Sequence, residues 1–96
     1  MRDRAGDPRA RVLVLPQVPP GTRLLLGRSR TADVRFLEPT VSRRHAELQR
    51  VANGWLVVDQ ASTHGTRVNG RRVDVAIVRD GDELRLGLAP AMVVRT

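Results

Sequence analysis

Ser42, Arg43, Arg44 and His45 place a hydroxyl, two guanidinium groups and an imidazole at four consecutive positions, inside the segment PTVSRRHAELQ at 39–49. Two chemistries use such a set. With a carboxylate such as Asp59, the serine and histidine would be nucleophile, base and orienting group of acyl transfer. With the arginines, the serine would be one of several donors facing an anion. The first has little support, because no G-x-S-x-G elbow surrounds the serine and the chain holds only two histidines, His45 and His64. Two histidines without a cysteine also give no metal-ligand spacing. The sequence therefore predicts no catalysis, no metal and no cofactor.

Charge points to an anionic partner. Seventeen basic residues against ten acidic ones give +7, and all seventeen are arginine, whose planar fork suits phosphate and carboxylate. The same bias follows from a GC-rich genome, so position has to decide what the total cannot. A basic β-domain binding nucleic acid through backbone phosphates is the rival reading. It would have Phe36 and Trp55 as its only aromatics, too few for a base-stacking platform, and it would show a steep salt slope.

The elements that must carry these groups are short. At 96 residues the chain is one domain. Without cysteine it stands on burial alone, which fits the cytoplasm. The opening MRDRAGDPRARVLVLPQVPPG has basic residues before an apolar run, but Pro16, Pro19 and Pro20 break that run, so neither an export signal nor a membrane span is expected. Residues 1–10, charged and without apolar periodicity, are expected to form a flexible arm, and 11–96 the folded domain.

Strands are expected at 11–15, 22–27, 33–36, 45–51, 55–60, 66–73, 83–87 and 91–96, separated by VPPG, ANG, NG and DG breaks. Within 66–73, Asn69-Gly70 predicts a two-residue type I′ hairpin, because both residues tolerate positive φ. Asp80-Gly81 predicts a second turn, and Pro90 a break before the last strand. The expected fold is an all-β sandwich of two antiparallel sheets. Its core is expected to hold Leu24, Leu26, Phe36, Leu48, Trp55, Val57, Val68, Leu84, Leu86 and Val93.

LLLGRS at 24–29, PTVSRRHAEL at 39–48 and DQASTHGTRVNG at 59–70, followed by DGDELRLG, resemble in order and spacing the forkhead-associated (FHA) domain of bacterial type. That family is a β-sandwich module whose loops at one end bind phosphothreonine peptides. The resemblance implies a non-catalytic adaptor in Ser/Thr kinase signalling, with a phosphothreonine-containing kinase or kinase substrate as partner. It assigns the phosphate to Arg28 and Ser42, with Arg43 as a further donor, and peptide contacts to Thr63 and His64. Gly27, His45 and Gly65 become supports of the site, and Arg44 should point elsewhere as a solvated charge, because side chains alternate in extended structure. His64 departs from the family pattern, which most often has asparagine there. A neutral imidazole cannot reproduce the paired donor and acceptor of an amide. Some family members are inhibited by their own phosphorylated N-terminal threonine, and residues 1–10 contain neither Ser nor Thr.

Overall fold

The computed structural model describes residues 11–96, so the expected arm lies outside the described residues. Ten strands form two five-stranded sheets. They are β1 (Arg11–Val14), β2 (Arg23–Gly27), β3 (Val34–Arg35), β4 (Ala46–Val51), β5 (Gly54–Asp59), β6 (Thr66–Val68), β7 (Arg71–Val73), β8 (Val75–Val78), β9 (Glu83–Leu86) and β10 (Met92–Arg95). The first sheet has the order β1-β10-β9-β6-β7 and the second β3-β2-β4-β5-β8.

Two features differ from the sequence reading. The sheets are mixed: β1 runs parallel to β10 and β3 parallel to β2, while every other pair is antiparallel. These parallel pairs join strands distant in sequence or linked through a loop, and residue types do not encode that direction. Strand β8 was also not expected. The chain passes from β7 in one sheet to β8 in the other through Asp74 alone, without a Gly or Pro to mark the crossing.

The Asn69-Gly70 hairpin forms as expected: φ is 52° and 81°, and Val68 pairs with Arg71 across two loop residues. Alternation along the strands sends one set of side chains between the sheets. Leu26, Leu48, Val57, Leu84, Leu86 and Val94 are fully buried there with Val41, each worth about 1.5–3 kcal/mol of transfer free energy. Trp55 and Phe36 are buried at 4% and 5% exposure, so packing is the use of both aromatics. Leu24 is only partly buried, lying against the edge of this cluster.

Five strand ends converge. Leu26, Ala46 and Asp59 lie in one row of the second sheet, and Thr66 and Leu86 in one row of the first. Gly27 ends β2, and the loops leaving these rows carry every other residue of the expected site.

Candidate functional site

Strand β2 ends where its backbone runs into the loop at 41–45. Arg28 and Ser29 donate their N–H groups to the carbonyls of Ser42 and Arg43 at 3.1 and 3.0 Å, and His45 donates to Leu26 at 3.0 Å. The approach is so close that a Cβ on Gly27 would stand 2.0 Å from the Arg43 carbonyl oxygen. A residue without a Cβ at Gly27 permits this close backbone approach, and its φ lies outside the left-handed region. The Arg28 Nε donates to the carbonyl of Val41. This fixes the guanidinium beside the serine loop and leaves its two terminal nitrogens without a partner among the described residues.

His45 is fully buried and uses both ring nitrogens on backbone. Nδ1 accepts the Ser42 N–H at 3.0 Å, and Nε2 pairs with the Gly65 carbonyl at 2.8 Å. The carbonyl can only accept, so Nε2 carries the proton and the ring is neutral. Burial lowers the His45 pKa from 6.5, against opposing effects from the Gly65 bond and Asp59. This imidazole ties two loops together and has no nitrogen free to act as a base. Ser42 reaches it through backbone, not hydroxyl, so Ser42, His45 and Asp59 form no catalytic triad.

The Ser42 hydroxyl does other work. Its oxygen accepts the Thr63 N–H at 3.1 Å, which leaves the hydroxyl hydrogen free to donate outward. Arg28, Ser42 and Thr63 are therefore brought together. Arg43 and His64 are exposed on the same two loops with no side-chain bond among the described residues. Arg44 is likewise exposed, in keeping with a solvated charge.

Asp59 organises the 59–66 loop, a role that sequence reasoning did not assign. Its carboxylate accepts the Ser62 N–H at 3.0 Å, the Ser62 hydroxyl at 2.6 Å and the hydroxyl of buried Thr66 at 2.7 Å. Burial pushes its pKa up, but these bonds outweigh burial and hold it below 3.8. Ser62 in turn accepts the Gly65 N–H at 3.0 Å, and Gly65 keeps φ at 87°. An aspartate three residues before a serine is the available signal for such a turn.

Thr40 does the same between two other loops. It donates to Glu38 through N–H and hydroxyl at 3.0 and 2.9 Å, while its hydroxyl oxygen accepts the Leu88 N–H at 2.8 Å. Gly87 sits against it, since a Cβ there would come within 2.6 Å of the Thr40 carbonyl oxygen.

Comparison with known proteins places this geometry. The profile of the FHA domain matches residues 24–87. The chain belongs to the FHA domain family. It is 40% identical over 88 residues to the glycogen accumulation regulator GarA of Mycobacterium tuberculosis, a match covering 83% of this chain and 54% of that protein. The chain thus spans about half the length of such curated relatives. Among solved structures, one from a study of phosphothreonine-dependent FHA domain interactions superposes with a TM-score of 0.74 at 36% identity, covering 84% of this chain and 82% of that one. The FHA domain of FhaA, complexed with the intracellular domain of Rv3910, gives 0.67 at 38% identity, covering 75% and 78%. This FHA domain has no helix, among its described residues, long and apolar enough to cross a membrane.

Proposed function

We propose that this FHA domain is a non-catalytic module that binds phosphothreonine peptides and acts as a cytoplasmic adaptor in Ser/Thr kinase signalling. One arrangement carries the reading. The Arg28 guanidinium is anchored through Nε beside Ser42, whose hydroxyl oxygen is already satisfied by Thr63. Donors without a competing acceptor therefore face out of two loops braced by buried His45. A phosphothreonine head carries about −1.5 to −2 charge and three acceptor oxygens, the complement of such a set. Arg43 adds charge at the rim, and Thr63 and His64 contact the peptide beside the phosphothreonine. The partner is a phosphorylated kinase or kinase substrate.

The test is calorimetric titration with a phosphothreonine peptide, the same peptide with threonine, and a DNA duplex. Binding of the first alone, little changed at moderate salt, is the expected result. Binding of any duplex with a steep salt slope would favour the nucleic-acid reading instead.

A further inference from the structure

Three arginines stand in one row on the outer face of the first sheet. Arg67 on β6 is the register partner of Arg72 on β7 and of Arg85 on β9. Its chain neighbours Thr66 and Val68 are buried, so strand alternation puts Arg67 and both partners on the solvent side. Neighbouring strands are about 4.8 Å apart, and like charges directly opposite one another destabilise a sheet. None of the three has an ion pair among the described residues. Among the described residues Arg85 is steadied only by the carbonyls of Ala89 and Leu88, at 3.1 and 3.5 Å. A sheet that had only to fold would gain from a carboxylate or a neutral residue in this row.

The row adjoins the site. The Arg72 side chain lies across Gly65, where a Cβ would come within 2.7 Å of its Nε and 2.9 Å of its Cζ. Gly65 ends the Thr63-His64 loop and accepts from His45. The carboxylates near these loops form no close ion pair with the arginines among the described residues, their oxygens being taken by neutral donors. Asp33 accepts the Leu25 N–H at 2.7 Å, Asp59 holds Ser62 and Thr66, and Glu38 holds Thr40. Unpaired positive charge therefore begins at Arg28 and Arg43 and resumes at Arg72.

We propose that the row Arg72, Arg67 and Arg85 is a second anion-binding surface. It receives an acidic stretch, aspartates and glutamates, of the same protein whose phosphothreonine occupies the loops. This rests on the phosphothreonine reading and adds to it the class of partner: a phosphothreonine within an acidic segment. Three planar forks at strand spacing suit carboxylates, and exposed charge of one sign favours capture at low salt.

The test compares the full chain with an Arg67→Gln/Arg85→Gln variant, leaving Arg72 and the phosphate loops intact. Each is titrated with two phosphothreonine peptides, one with neutral flanks and one with acidic flanks. At about 50 mM salt the parent should bind the acidic peptide about tenfold tighter, and the preference should shrink at about 500 mM. In the variant the preference should fall to about twofold, with unchanged affinity for the neutral peptide. Its melting temperature should hold or rise, because repulsion within the row is relieved. If it falls instead, Arg85→Gln alone serves, with about half the logarithmic loss of preference expected. A variant that keeps the full preference overturns the proposal. So does DNA or an anionic phospholipid vesicle that depends on Arg67 and Arg85 more steeply than the acidic peptide does. Failure of the parent to bind even the neutral phosphopeptide would overturn the phosphothreonine reading itself, and this proposal with it.

Discussion

The hydroxyl oxygen of Ser42 accepts the backbone N–H of Thr63 at 3.1 Å, across 21 positions of sequence. The side chain proposed to hold phosphate therefore also joins the two loops around it. Removing the hydroxyl removes both a donor and a brace.

Ser42→Ala should accordingly weaken phosphopeptide binding by about tenfold, with a loss of stability of about 0.5–1.5 kcal/mol for the neutral bond to Thr63. Arg28→Ala should cost more affinity, about ten-fold to a hundred-fold, because bonds to a charged group contribute about 1.5–3 kcal/mol. Calorimetry beside thermal melts separates the two effects. Unchanged affinity in a folded Arg28→Ala protein would remove Arg28 from the phosphate site.

His45 should show itself in stability before affinity. His45→Ala leaves the Ser42 N–H without its acceptor, a loss of about 1–3 kcal/mol, whereas the Gly65 carbonyl keeps the Gly87 N–H at 2.9 Å. The parent should also lose stability in acid. A folded-state pKa below the ordinary 6.5 means that the unfolded chain binds the proton more readily. This contribution is complete above about 6.5 and is lost as pH falls toward the folded value. Denaturant titrations between about pH 7.5 and 5 should therefore show a decline that His45→Gln lacks. Equal pH profiles for the two proteins would contradict this.

Gly27→Ala puts a methyl group 2.0 Å from the Arg43 carbonyl oxygen. The obstacle is backbone on both sides, so the loop must move. Destabilisation should reach or exceed the upper end of the about 1–3 kcal/mol usual for overpacking. Phosphopeptide binding should fall with it. A control is Gly70→Ala, where a Cβ meets no atom within 4 Å and only the φ of 81° is unfavourable. It should cost stability but leave affinity unchanged.

His64 is exposed on the loop that Thr63 anchors. His64→Asn restores an amide's donor and acceptor in one plane. It should bind phosphopeptide at least as tightly as the parent at pH 7.5 with the same melting temperature. Weaker binding would mean that the imidazole itself makes a contact that the amide cannot.

Most of the sandwich was legible because its breaks are written in residue types. Asn69-Gly70 requires positive φ, and Leu48, Leu84 and Leu86 alternate with polar Glu47, Gln49, Glu83 and Arg85, so strand and turn can both be read. Strand β8 was not legible, since Asp74 alone separates it from β7 and the switch between sheets is a tertiary event. Val75 and Ile77, 57% and 51% exposed, give its outer face no polar residue to mark alternation. Within the site, His45 was readable as a loop support from its place three residues after Ser42. The reason for Gly27 was not, because the Arg43 carbonyl that crowds it belongs to another segment. Asp59 was missed for a similar reason: the sequence offers it only as the orienting group of a triad, and its three donors come together only in the folded loop.

Those three donors make Asp59 the test of how the loop at 59–66 is ordered. Ser62 and Thr66 satisfy both carboxylate oxygens, and Ser62 passes the order on to the Gly65 N–H. Asp59→Ala removes charge-assisted bonds and leaves the buried Thr66 hydroxyl without its acceptor, a loss of about 1.5–3 kcal/mol. Asp59→Asn should cost less, because one amide oxygen still accepts while the NH2 group faces a donor. The folded-state pKa lies below 3.8, so the contribution is complete above that value and is lost as pH falls toward the folded one. This window is well below that of His45, so acid melts of the parent should fall in two stages, the lower of which Asp59→Asn diminishes. Hydrogen exchange of the Gly65 amide reports the loop directly. It should accelerate in Asp59→Ala beyond the global loss of stability. Exchange that tracked global stability alone would mean that the His45 and Gly87 bonds to the Gly65 carbonyl suffice to hold the loop.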